Sequence, residues 1–280
     1  MVPDIRCSWC GRGYSYCSSP ACQLEHSDSC DGNIRPRGQG TETIPRPKVG
    51  LVPYGEGIYR CEVYGGIALS FDDGPYTHTE HILDLLALYQ AKATFFVTGR
   101  NFGKGAINDP NTPWPALIKR MVADGHQVAS HTWSHQRLTD LGWRAFHQQI
   151  IYNEIALANI LGFFPTYLRP PYSASNERTD RWLGELGYHV TYFNLDTKGY
   201  LHDSPGLIQE SKNIWDENVD GRNPTETTWL GVEHDPIYQT AHNLTKHMLE
   251  SLYKNGFRAV TVGECLGDPK EYWYRNLFDS

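Results

Sequence analysis

Ile67-Ala68-Leu69-Ser70-Phe71-Asp72-Asp73-Gly74-Pro75 carries an apolar, strand-forming run straight into two adjacent carboxylates and a Gly-Pro turn. A short apolar run bounded by turn residues predicts a buried strand, here over residues 67–71. Similar runs follow at 94–97, 127–130, 167–169, 189–193, 229–233 and 258–262. Between them, apolar residues at helical spacing predict helices over 78–89, 114–124, 143–161, 177–186, 206–216 and 243–255. Such alternation implies parallel strands joined by crossover helices, and a series this long predicts an α/β fold of the distorted (β/α) barrel kind. Chemistry in such a barrel sits at the carboxyl ends of the strands.

A chain of 280 residues accommodates one barrel and a small appendage. Hydrophobic residues make up 40% of it, with 8 Trp, 17 Tyr and 10 Phe, enough to build a sizeable core and to exclude global disorder. Lys and Arg number 25 against 32 Asp and Glu, a formal charge of −7, so there is no basic field to hold a phosphate backbone and no nucleic-acid partner is expected. No run of residues is apolar enough for a membrane span, and Met1-Val2-Pro3-Asp4 lacks the regions of a signal peptide. A soluble, monomeric chain is expected, its export signal removed or replaced.

Five of the seven cysteines, Cys7, Cys10, Cys17, Cys22 and Cys30, crowd into the first thirty residues. So dense a cluster in so short a segment predicts a disulfide knot and hence secretion or residence in a cell wall. A zinc knuckle is the competing reading, because Cys7-Ser8-Trp9-Cys10 has the two-residue gap, but no second such pair follows. Cys61 and Cys265 are expected to pair and tie the two ends of the large domain. Asn243-Leu244-Thr245 is a glycosylation sequon that reads equally as a polar helix start. From Asp31 to Pro53 the chain is rich in Gly, Pro, Arg and Thr without apolar periodicity, the signature of a linker. The expected organisation is a cysteine-rich segment at 1–32, a linker at 33–57 and the large domain at 58–280.

Four polar clusters stand where predicted strands end. Asp72-Asp73 before Gly74-Pro75 is a candidate dyad, although Asp before a turn also serves as a cap. His131 and His135, four apart after a strand, have the spacing of a metal pair, which also arises by chance. Leu168-Arg169-Pro170-Pro171-Tyr172 leaves its strand rigidly and fixes an arginine beneath whatever lies above, or simply staples a loop. Val232-Glu233-His234-Asp235-Pro236 puts a histidine at the end of an apolar run. A metal hydrolase site explains all four at once.

With these motifs in this order, residues 59–267 resemble the polysaccharide deacetylases of carbohydrate esterase family 4, which share the NodB homology domain, and within them the fungal chitin deacetylases. The resemblance implies a distorted barrel of the NodB type and hydrolysis of N-acetyl groups from GlcNAc units, with chitin or chito-oligosaccharide as substrate. Deacetylation of peptidoglycan or xylan, or an inactive chitin-binding protein, are the alternatives. It implies one divalent metal, zinc before cobalt or nickel, on Asp73, His131 and His135. Asp72 matches the general base, Arg169 its partner and His234 the general acid. The Tyr172 amide would stabilise the oxyanion, Val232 would line the acetyl pocket and Trp133 would offer a face to the sugar.

One departure stands out. Asp196-Thr197-Lys198-Gly199-Tyr200 keeps the first aspartate of the family's Asp-x-x-Asp-Trp pattern but has Gly199 for the second and Tyr200, a candidate substrate contact, for the tryptophan. Either Asp196 or Asp235 is expected to tune His234 instead, or His234 titrates lower than in relatives. Residues 10–23 are similar to the second half of a hevein-like chitin-binding module, which would bind GlcNAc through Ser8, Trp9, Tyr14 and Tyr16, or else pack its aromatics on the barrel.

Overall fold

The computed structural model of the protein describes residues 14–277 and the side chains of 16–277. Cys7, Ser8, Trp9 and Cys10 therefore lie outside the described residues, as does the Tyr14 side chain. In chain order the strands are β1 (Gly57–Ile58), β2 (Gly66–Ala68), β3 (Ser70–Asp72), β4 (Thr94–Val97), β5 (Gln127–Ser130) and β6 (Phe163–Pro165). They continue as β7 (Tyr167–Leu168), β8 (His189–Thr191), β9 (Leu195–Asp196), β10 (Trp229–His234), β11 (Arg258–Val260) and β12 (Tyr274–Asn276). The main sheet is parallel and ordered β1-β8-β7-β5-β4-β3-β10-β2-β11, with β9 also on β10, while β6 and β12 form a separate antiparallel pair.

The expected 67–71 strand is two short ones meeting at Leu69, and both lie along β10. Ala68 faces Leu230, and Asp72 faces His234. β1, β6, β9 and β12 were not foreseen, because two or three residues are too few to show a periodicity.

Among the described residues six long helices fill the crossovers: α1 (Thr79–Leu88), α2 (Trp114–Ala123), α3 (Trp143–Leu161), α4 (Glu177–Glu185), α5 (Ile208–Val219) and α6 (Thr245–Lys254). Each lies over its expected span, although a π-helical turn, Thr240–Leu244, takes the place of the start expected for α6. α2 buries Trp114, Ile118 and Met121 on one stripe, α3 ends at Gly162 in the left-handed region (φ 84°), and α4 opens on an Asn176–Thr179 capping box.

Strand parity sorts the core into two compartments. Ile67, Leu69, Phe71, Phe95, Val97 and Val128 pack outward with Ile82, Leu86, Ile118 and Met121 of the helices. Ala68, Phe96, Ala129, Tyr167 and Leu230, from the alternate positions, fill the interior. Counting on by twos puts Ser70, Asp72, His131, Arg169, Val232 and His234 on the interior face and Glu233 on the outer one.

Ladder bonds do not close the ring among the described residues. The segments leaving the terminal strands β1 and β11 are instead joined by the expected Cys61–Cys265 disulfide (Cα–Cα 5.0 Å), and the Glu62 and Val63 amides both donate to Cys265 O at 2.9 Å. A second disulfide joins Cys22 and Cys30, and Cys17 is unpaired among the described residues.

Residues 34–56 contain no helix or strand, as a linker would, yet they are fastened to the barrel. Glu154 of α3, fully buried, accepts bidentate bonds from Arg46 Nη1 (2.8 Å) and Nη2 (2.7 Å), with further bonds from Thr41 Oγ1 (2.5 Å) and Tyr188 OH (2.7 Å). No helix among the described residues is long and apolar enough to cross a membrane.

The Cys61–Cys265 bridge spans 204 residues and ties both ends of the sheet, so its removal releases a large loop-closure entropy in the unfolded chain. Replacing both cysteines by alanine is expected to cost about 2–5 kcal/mol, read as a lower urea midpoint. An unchanged midpoint would show that the seam holds without it.

Candidate metal centre

The interior positions at the upper strand ends meet around Arg169. Its guanidinium is fully buried. Nη1 donates to Asp72 Oδ1 and to Ser70 Oγ, both at 2.7 Å, Nη2 donates to Tyr192 O at 2.8 Å, and the charge lies 4.1 Å from the Phe96 ring centroid. Burial lowers the Arg169 pKa and Asp72 opposes that, and the planar fork of the guanidinium aims the Asp72 carboxylate. Arg169 O in turn takes His131 Nδ1 at 2.7 Å.

That bond commits the Nδ1 proton of His131 and leaves the Nε2 lone pair facing the site. Burial pulls His131 down to about 4 despite Asp72 and Asp73, so the ring is neutral at neutral pH. Asp73 Oδ1 lies 3.5 Å from His131 Nε2 and 3.0 Å from His135 Nε2, and it is buried without a hydrogen-bond partner. Burial alone would raise the Asp73 carboxyl, but His135, ahead of the other imidazoles, more than reverses this and holds it well below the usual carboxylate range. Donor atoms of Asp73, His131 and His135 fall within 4.8 Å of one another, and among the described residues they are the one such group of three or more. A carboxylate oxygen and a neutral imidazole lone pair facing each other in a buried space fit a divalent cation between them.

The loops that deliver these groups are sharply turned. Asp73 (φ 77°), Thr132 (φ 69°), His135 (φ 54°) and Tyr172 (φ 60°) are all left-handed and none is glycine. Asp73 is held by its carbonyl, which accepts from Asn101 Nδ2 at 3.0 Å and Lys104 Nζ at 3.3 Å. Tyr172 is half exposed, its ring edge-on to His135 with centroids 4.7 Å apart.

Trp133 is not the sugar platform expected of it: beyond the turn at Thr132 it packs in the outer layer between strands and helices, against Gly99 and Tyr152 of α3, where it is 0% exposed and presents no face to a sugar. Val232 is buried two positions before His234, on the same side of β10, and the Tyr200 ring lies edge-on to His234 at 5.1 Å. Asp196 accepts from the Lys198 amide at 2.8 Å and from Tyr200 OH at 3.2 Å. Asp235 is buried, accepts from Thr79 Oγ1 and is pushed up by burial. Neither carboxylate bonds directly to His234.

Glu233 was missed. Its carboxyl lies behind β10, accepting from Thr197 Oγ1 at 2.5 Å and from Thr240 Oγ1 at 3.5 Å, and burial raises it to about 8. A Cβ on Gly199 would stand 3.0 Å from Glu233 Oε2 and 2.6 Å from Thr240 Oγ1, so Gly199 and Glu233 share one space. An acidic residue inside a strand buried on both faces was the available signal.

Two outcomes are expected. Gly199→Asp lowers stability, whereas Gly199→Asp with Glu233→Ser recovers most of the loss; equal melting temperatures for the two would refute the shared space. The Glu233 pKa is raised on folding, so its stabilising contribution is present below the unfolded carboxyl range and lost as pH rises toward about 8. Glu233→Gln therefore flattens the fall in melting temperature between pH 5 and pH 8, two points chosen roughly to span that window.

Comparison with known proteins agrees with this geometry. The family model described as polysaccharide deacetylase matches residues 63–191. A chitin deacetylase from Pestalotiopsis sp is 38% identical over 85% of this chain and 76% of its own length. One from Colletotrichum lindemuthianum is 39% identical over 80% of this chain and 88% of its own. The solved structure of the chitin deacetylase from Colletotrichum lindemuthianum superposes with a TM-score of 0.76 at 39% identity, covering 80% of this chain and 97% of that one. The chain belongs to the polysaccharide deacetylases, hydrolytic enzymes with this barrel.

Proposed function

We propose that the protein hydrolyses the N-acetyl groups of GlcNAc units in chitin or chito-oligosaccharides, releasing acetate and leaving glucosamine. The observation that carries this reading is the meeting of the partnerless Asp73 Oδ1 with two imidazole nitrogens beside an arginine-clamped Asp72. Asp73, His131 and His135 would hold one divalent cation, zinc before cobalt or nickel, since a nitrogen and oxygen donor set accepts all three. The cation, when bound, supplies Lewis-acid polarisation of the acetyl carbonyl.

The remaining work belongs to the chain. Asp72, paired with and aimed by Arg169, takes the proton of the attacking water. His234 stands on the neighbouring strand in register with Asp72 and delivers a proton to the departing amine. The Tyr172 amide donates to the oxygen that gains charge, Val232 bounds the space for the acetyl methyl, and Tyr200, tethered to Asp196, contacts the sugar beside His234. Export to the extracellular space or cell wall is supported by the two disulfides.

Acetate release from chito-oligosaccharides, abolished by a chelator and restored by zinc, is the expected result. Asp72→Asn is expected to lower turnover by about 10²–10⁴-fold with zinc still bound by metal analysis. Acetate from peptidoglycan or acetylated xylan but not from chito-oligosaccharides would replace the substrate, and chitin binding without acetate at saturating zinc would replace the enzyme with a lectin.

A further inference from the structure

The loop 131–135 carries two of the three metal-site residues and two left-handed non-glycine residues, Thr132 and His135. Such a conformation persists only where the surroundings over-determine it. From the barrel side, Gln149 of α3 grips the loop. Its carbonyl accepts from Trp133 N at 2.8 Å, its Oε1 accepts from Ser134 N at 2.8 Å, and its Nε2 donates to Ser134 Oγ at 2.9 Å.

The opposite side of the loop is covered by residues 19–33, from the described part of the cysteine-rich segment. Gly32, buried in the 3-10 turn Asp31–Asn33, packs so closely that a Cβ there would stand 2.6 Å from Ser134 Oγ and 2.8 Å from Leu24 and Ser19 side-chain atoms. Gly32 lies in a helical turn that any residue adopts, so the contact itself requires the glycine. The turn is fixed in its place by Asp31, whose Oδ1 accepts from Ser19 N at 2.8 Å and Ser19 Oγ at 2.9 Å, and whose Oδ2 lies 3.4 Å from Arg100 Nε. The Arg100 amide donates to Trp133 O at 2.5 Å, Gln136 Nε2 donates to Pro20 O at 3.0 Å, and the Cys22–Cys30 disulfide closes the segment.

We infer that the cysteine-rich segment is the outer buttress of the ligand loop, with Gly32 seated on Ser134 as the positioning contact that sets where His135 meets Asp73. The inference rests on the metal reading above. It gives the segment a part in metal affinity, separate from any grip on polymer.

Zinc affinity of the full chain, measured by competition with a chromophoric chelator, tests this without reference to turnover. Gly32→Ala is expected to weaken zinc binding by about 10–100-fold, the usual cost of disturbing a support of a metal ligand. Glu25→Ala removes the segment's bond to the Gly142 amide (2.9 Å) without touching Ser134, and is expected to leave zinc affinity unchanged. In a Ser134→Ala background the effect of Gly32→Ala should shrink, because the closest of its three contacts, the one that reaches the ligand loop, is gone. Wild-type affinity in Gly32→Ala, or an undiminished effect in the Ser134→Ala background, would overturn the inference alone. A wild-type chain that takes up no zinc would overturn the metal reading and this inference with it. Should Gly32→Ala fail to fold, Asp31→Ala, which removes the acceptor for Ser19 and the partner of Arg100 and so frees the same turn without adding bulk, is read by the same criteria.

Discussion

A permanent charge buried at the centre of the barrel is the constraint on which the site depends. Taking a guanidinium out of water costs several kcal/mol unless its donors and its charge are matched. Arg169 is matched from three directions: β3 through Ser70 and Asp72, the end of β8 through the Thr191 and Tyr192 carbonyls, and the Phe96 ring of β4. The side chain is therefore a cross-brace as much as a partner for Asp72. Its own carbonyl sets the tautomer of His131, so a single residue fixes the state of a metal ligand through its backbone and of the base through its side chain.

Two adjacent aspartates take different roles because the chain turns between them. Asp72 is the last residue of β3 and keeps the interior direction that strand parity assigns it. Asp73 is already off the strand, left-handed and tethered by Asn101 and Lys104, so its carboxylate swings toward the histidines. The same device recurs at Thr132, His135 and Tyr172. Strained backbone is concentrated where the side chains must converge, and the buried strands and α3 beneath over-determine it.

The sequence showed much of this because the repeating strand and helix periods survive into the fold. Six helices and seven strand runs stand close to their expected spans, and the four polar clusters lie at strand ends, where barrel geometry puts chemistry. Cys61 and Cys265 could be paired because they flank the large domain. What could not be read depends on contacts far apart in the chain. The burial of Trp133 follows from one left-handed residue, which no motif announces. The sharing of space by Gly199 and Glu233 joins positions 34 apart, and the carboxyl of Glu154 is matched by an arginine 108 residues upstream, within a stretch whose composition resembled a loose tether.

That last bond has a bearing on where the folding unit begins. Arg46 and Thr41 saturate a carboxylate inside α3 that has no access to solvent. A polypeptide starting at residue 58, the boundary that composition suggests, would leave the buried Glu154 carboxyl with Tyr188 as its remaining donor. Thr41 and Arg46 thus make this stretch a strap fastened to the barrel rather than a free tether.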